Sequence, residues 1–209
     1  MAWRKTVTLA ITGASGAQYG IRLLQCLVAA ECRVYIMVSK AAEVVINTET
    51  PLDFPSEQLE QLQFLQDFTQ AKPGQLALFE ELDWFAPVAS GSSSPSAMVV
   101  CPASGGTLSA IACGASNNLI ERAADVAIKE RRPLILVPRE TPYSQIHLEN
   151  MLKLAQLGAL ILPASPAFYM QPKTVDDMVD FVVARILDQL DLPQTLLARW
   201  GEDDLDPKA

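Results

Sequence analysis

Histidine is nearly absent from this 209-residue chain, which has one, and aromatic residues make up only 7% of it. The four cysteines, Cys26, Cys32, Cys101 and Cys113, form no C-x-x-C pair, so no zinc-ligand spacing is present. They read as ordinary thiols of a reducing compartment. No apolar run approaches the ~18 residues that a membrane span needs. Positive charge is scarce: 16 Lys and Arg stand against 24 Asp and Glu, a net charge of −8. That balance weighs against nucleic-acid binding, which needs a positive field along the phosphates. Small anions remain possible ligands wherever the basic residues gather. Charged residues are 19% of the chain and hydrophobic ones 50%, which excludes a disordered chain. The opening MAWRKTVTLAITGASGA imitates a secretory signal, but Thr6, Thr8 and Thr12 break its apolar run. A first β-strand explains it better, and the expected location is the cytoplasm.

What is present is an alternation of strand-like and helix-like segments. Stretches 6–12, 33–38, 97–101, 134–137 and 159–162 are β-rich and nearly all apolar. Between them, 19–30 carries Ile21, Leu24 and Val28 at helical spacing, and 40–48, 55–68, 105–115, 118–130 and 144–157 read as helices. Asn118 with Glu121 and Thr174 with Asp177 mark helix starts, the second opening a long amphipathic helix. Apolar strands separated by helices predict a doubly wound, mostly parallel sheet with helices on both faces, of the Rossmann-like or flavodoxin-like kind. No linker divides the chain, so residues 1–209 are expected to form one α/β domain whose acidic tail frays from about 201. The serine-rich 91–96 stretch reads as a surface loop or a lid.

Such sheets bind ligands beyond the carboxyl ends of their strands. The first strand ends in Thr12-Gly13-Ala14-Ser15-Gly16-Ala17, where converging backbone N–H groups and a helix N-terminus suit a phosphate. The spacing is not G-x-G-x-x-G, and Val38-Ser39-Lys40 lacks the acidic residue of an NAD site, which leaves NADP open only through Lys40. A second loop of the same kind, Pro102-Ala103-Ser104-Gly105-Gly106-Thr107, follows the strand at 97–101. Two cradles on one edge fit a mononucleotide such as FMN. Pro138-Arg139-Glu140-Thr141-Pro142 and Pro163-Ala-Ser-Pro-Ala-Phe-Tyr169 add two further strand ends. Arg139 beside Glu140 is either a surface ion pair or part of a site. Arg122 and Lys129 share a helix face with Asp125, which could equally pair with Lys129 at i,i+4. Arg185 interrupts an apolar face, either snorkelling to solvent or meeting an anion. A Ser-His-Asp triad is disfavoured, because the single His147 sits in a Leu-rich helix as a core or partly exposed residue.

Taken together, the GASGA turn, Ser39, the Pro-Ala-Ser-Gly-Gly-Thr loop, the helix from Asn118 to Lys129, Pro-Arg-Glu-Thr-Pro and Pro-Ala-Phe-Tyr resemble the UbiX-type flavin prenyltransferases from about Thr6 to Trp200. The related flavin-dependent cysteine decarboxylases share the fold but use an active-site histidine, and this sequence shows none near its first helix or its cradles. The resemblance implies transfer of a dimethylallyl group from dimethylallyl monophosphate to N5 and C6 of reduced FMN, without a metal. It further implies a homododecamer with sites at subunit interfaces, and a product used by UbiD-type decarboxylases. Carried onto this chain, Gly13, Ala14, Ser15, Ser39, Ser104, Gly105, Gly106, Thr107 and Arg139 would hold FMN. Tyr169, Arg185, Arg139, Arg122 and Lys129 would surround the donor phosphate, with Ser90 and Gly91 nearby. Glu140 would hydrogen-bond that phosphate and manage its proton, Ser15 and Glu49 would sit near flavin N5, and Trp84 would wall the prenyl pocket. A flavin-dependent decarboxylase of aromatic or polyprenyl acids and a non-catalytic FMN-binding partner subunit are the competing functions.

Overall fold

The computed structural model describes residues 2–197; the acidic tail expected to fray lies outside the described residues. Six strands, β1 (Thr6–Ile11), β2 (Arg33–Val38), β3 (Leu76–Phe79), β4 (Ala97–Ala103), β5 (Leu134–Pro138) and β6 (Leu160–Ile161), form one sheet in the order β3-β2-β1-β4-β5-β6. Every pairing is parallel. The helices α1 (Ala17–Ala29), α2 (Lys40–Glu49), α3 (Gln58–Thr69), α4 (Gly105–Ala112), α5 (Leu119–Lys129), α6 (Gln145–Gln156) and α7 (Val175–Gln189) cover it. The expected doubly wound α/β architecture is what the chain adopts. Among the described residues, no helix is long and apolar enough to cross a membrane.

Side-chain alternation divides the interior into two cores. On β1, Val7, Leu9 and Ile11 face one core and Ala10 the other. On β4, Ala97, Val99 and Cys101 oppose Met98, Val100 and Ala103 in the same way. The first core is closed by α1, α2, α3 and α7, the second by α4, α5 and α6. Burial on both faces is why the strands read as apolar runs instead of alternating ones.

The winding direction reverses between β1 and β4. Loops leaving these two strands diverge to opposite faces, which opens a crevice at their carboxyl ends. Element boundaries differ from the sequence expectation where glycine or pairing decides. Gly16 takes φ 101° and starts α1 at Ala17, while Gly114 at φ 71° follows an α4 that ends early, at Ala112. Pairing with β5 carries β4 through Pro102 to Ala103 after a register shift. The edge strand β3 was not expected, because four residues are too few for a period to register.

α1 seats directly on the sheet because Gly20 has no side chain. A Cβ there would overlap the Cys101 carbonyl oxygen and lie 3.1 Å from Ile11. Gly20→Ala should therefore destabilise the fold by about 1–3 kcal/mol through overpacking, although alanine is the better helix former. Urea unfolding measures this, and an unchanged or raised midpoint would show that α1 does not approach β4 so closely.

Candidate active site

A buried hydroxyl joins the two halves of the crevice. Thr12, 2% exposed, directly follows β1. Its Oγ1 donates to the Pro102 carbonyl at 2.7 Å and accepts from the Ser104 N–H at 2.9 Å. Its own N–H also donates to the Pro102 carbonyl, at 3.2 Å. On the other side of β1, the Ser39 N–H donates to the Ile11 carbonyl at 3.0 Å. The exits of β1, β2 and β4 are thus laced together. Thr12 is a residue the sequence reading quoted but gave no role.

The first cradle, 13–17, runs tightly against α2: a Cβ on Gly13 would come within 2.5 Å of the Ala41 Cβ. Gly16 has no side chain to cap α1. Glu49, the last residue of α2, supplies the missing acceptor and takes the Gly16 N–H at 2.7 Å. The Ser15 hydroxyl and the Ala17 N–H donate to the same carboxylate. Burial pushes this carboxyl upward, but those three donors and the Arg139 guanidinium outweigh it and hold Glu49 below the usual glutamate range. Ser15 and Glu49 are therefore in contact within one chain. Tyr19 lies close beside Gly16. Burial, then Cys101, raises its phenol against the opposing pull of Arg139.

Ser39 and Ser104 cap the next two helices at this edge. Ser39 Oγ accepts the Ala42 N–H at 3.1 Å, and Ser104 Oγ accepts the Thr107 N–H at 3.2 Å and shares a hydrogen with Thr107 Oγ1 at 3.0 Å. Gly105 and Gly106 open α4, where the first amides have no carbonyl within the helix and carry its positive end. A Cβ on Gly106 would meet nothing nearer than Ser104 Oγ at 4.0 Å, so that surface is open.

Arg139 leaves β5 and turns toward the first cradle, its Nε donating to the Ser15 carbonyl at 3.1 Å. Glu140 accepts from its neighbour's N–H, on Thr141, at 3.2 Å. Among the described residues no ion pair joins Arg139 to Glu140, so the surface-pair alternative does not hold. The Ala164 N–H donates to the Pro138 carbonyl at 3.1 Å, which holds the segment after β6 beside this loop. Within that segment Tyr169 packs edge-on against Phe181, with ring centres 6.0 Å apart. Trp84, 45% exposed, lies in the turn beyond β3.

The remaining expected residues do not join this crevice within one chain. α5 returns the chain to the start of β5, so Lys129 lies at the opposite edge of the sheet from the cradles. Ser90 and Gly91 precede the start of β4, and Gly91 presses on Lys129 and Glu130 so closely that a Cβ would collide with both. The 91–96 stretch is thus no free loop: 91–93 form a short turn seated on the end of α5. Arg122 donates to the Ala89 carbonyl at 3.1 Å and pairs with Asp125 at 2.9 Å. Lys129 pairs with Glu130, so the expected Asp125–Lys129 pair is replaced by two others. Arg185 is half-exposed toward the far end of α7 and pairs with Asp188 at 2.6 Å.

A histidine does stand at one cradle, contrary to expectation. His147 is partly exposed, but its imidazole reaches the second cradle: a Cβ on Gly105 would stand 2.7 Å from His147 Nε2. Sequence distance hid this, because the two residues belong to different β–α units. A histidine is therefore present at a cradle, and its absence cannot separate the prenyltransferases from the decarboxylases.

Comparison with known proteins does separate them. Residues 2–187 match the Flavoprotein family. The chain is 61% identical to the flavin prenyltransferase UbiX of Pseudomonas aeruginosa over 205 residues, covering 98% of each chain. It is similar to the crystal structure of AnUbiX (PadA1) in complex with FMN and dimethylallyl pyrophosphate, with a TM-score of 0.83 and 38% identity over 94% of this chain and 97% of that one. It is also similar to a dodecameric FMN-dependent UbiX-like decarboxylase from Escherichia coli O157:H7, with a TM-score of 0.80 and 39% identity over 90% of this chain and 96% of that one. On these similarities the chain belongs to the UbiX flavin prenyltransferases of the Flavoprotein family.

Proposed function

We propose that this chain binds FMN across its two cradles and transfers a dimethylallyl group from dimethylallyl monophosphate to N5 and C6 of the reduced flavin. No metal takes part, and the product serves a UbiD-type decarboxylase in the cytoplasm. The observation that carries the reading is the pairing of two helix N-termini, those of α1 and α4, side by side at the strand-order reversal. The residues fit the flavin. Glu49 already shows that the first cradle accepts an oxygen anion, and the open face of Gly106 lets a flat ring approach the backbone. Gly13, Ala14, Ser15, Ser39, Ser104 to Thr107 and Arg139 would hold it.

When bound, reduced FMN supplies the electron-rich atoms that accept the prenyl group. The chain does the rest. Cleaving the allylic C–O bond leaves the electron pair on phosphate, and Arg139 with Tyr169 receives that charge from within the chain. Glu140 holds the phosphate proton. Glu49, kept ionised by its donors, can accept a proton through the Ser15 hydroxyl. Magnesium usually neutralises a diphosphate leaving group, whereas a monophosphate needs only a ring of cations. One chain cannot close that ring, because Lys129, Arg122, Arg185, Ser90 and Gly91 lie away from its cradles. A neighbouring copy supplies them, which agrees with the dodecamer described for the E. coli relative. Trp84 would line the apolar pocket, where an aromatic face stabilises an allylic cation and water is kept out.

Incubating the protein with reduced FMN and dimethylallyl monophosphate should raise the flavin's mass by one five-carbon unit. Unchanged flavin would leave a binding subunit, and carbon dioxide release from an aromatic acid by the protein alone would favour a decarboxylase. Lys129→Ala should keep FMN bound yet lower prenyl transfer by about two orders of magnitude; wild-type turnover would show that this lysine is merely solvated. The depressed Glu49 carboxyl adds a pH effect. Because its folded value lies below its unfolded one, its contribution to stability is complete above the ordinary carboxylate range and is lost as pH falls through the folded value. Glu49→Gln should flatten the acid side of the stability profile of the ligand-free protein, and an unaltered profile would contradict the hydrogen-bonded carboxylate.

A further inference from the structure

His147 opens α6 in a reciprocal arrangement with Ser144. The His147 N–H donates to Ser144 Oγ at 3.2 Å, and the Ser144 N–H donates to His147 Nδ1 at 3.3 Å. Because Nδ1 accepts, the neutral ring carries its proton on Nε2. The three atoms nearest to a Cβ placed on Gly105 are His147 Nε2, Cδ2 and Cε1, at 2.7, 3.2 and 3.5 Å. The imidazole edge thus fills the space where any other residue at 105 would carry its side chain. Tyr143 braces the ring edge-on from the loop side, with centres 6.3 Å apart.

The loop from Pro138 to Ser144 is therefore pinned at both ends. Arg139 holds its start to the Ser15 carbonyl in the first cradle. His147 holds its end to Gly105 in the second. We infer that His147 is a positioning residue, which seats the Arg139–Glu140 loop on the α4 N-terminus and so fixes the spacing of the two cradles. This inference rests on the reading of those cradles as the FMN site. It needs no contact between His147 and the flavin.

The test is a double-mutant cycle on FMN affinity, read by quenching of flavin fluorescence, with Gly105→Ala and His147→Ala. In the wild-type background the added methyl displaces the imidazole and both anchors suffer. In the H147A background the methyl finds the vacated space, so its effect should be smaller by about fivefold or more. His147→Gln, which retains an acceptor for Ser144 and a donor toward Gly105, should bind FMN within about twofold of wild type. Should H147A fail to fold, His147→Asn replaces it in the cycle, since its shorter side chain stops short of Gly105 while its amide oxygen can accept from Ser144, as the equally short Asp177 does at the start of α7. A residue that only capped α6 would lower the melting temperature without coupling to Gly105. Additive effects on FMN affinity would therefore overturn the inference. A wild-type protein that binds FMN without prenylating it would sink the proposed reaction alone and leave the cycle readable.

Discussion

Thr12 is the constraint on which the crevice depends. A parallel sheet that winds both ways must part its loops at the reversal, and nothing in that topology fixes how far apart they stand. One hydroxyl does so here, donating into the exit of β4 and accepting from it. Buried at the end of an apolar strand, an unpaired hydroxyl would cost on the order of 1–3 kcal/mol, so the two loops are held to one spacing. The N-termini of α1 and α4 stand on either side of that join.

Charge tells a complementary story. The chain is acidic overall, and each of Arg122, Lys129 and Arg185 has a carboxylate partner within its own helix or beside it. Three cations gathered without such partners would repel one another through poorly screened surroundings. With each locally neutralised, they add little repulsion to the folded chain. In the proposed reaction, a neighbouring copy would bring them to the donor phosphate. The carboxylates already paired with them would have to yield or swing aside as the anion arrives, so the same contacts that favour folding oppose premature binding.

Much of this was legible in the sequence. Five of the six strands, the helix starts at Asn118 and Thr174, and both glycine-rich loops carry local signals: apolar runs, N-cap chemistry and residues that admit tight turns. What was not legible depends on contacts between distant segments. β3 shows too short a pattern, and α1 borrows its cap from Glu49, 33 residues away. His147 meets Gly105 only after two β–α units have wound onto one face. Asp125 stands at helical spacing from both Arg122 and Lys129, and geometry, not spacing, gives it to Arg122. The resemblance named Arg122, Lys129 and Arg185 as phosphate ligands, and only the courses of α5 and α7 reveal that within one chain they lie away from the cradles.

The Glu49 cap has a consequence for the empty protein. Its carboxylate takes the first amides of α1 by itself, so the start of that helix is ordered by the chain and not by a ligand. A ligand arriving at this edge meets a helix already in place, and under the proposed reaction the modified flavin would leave without that helix unravelling.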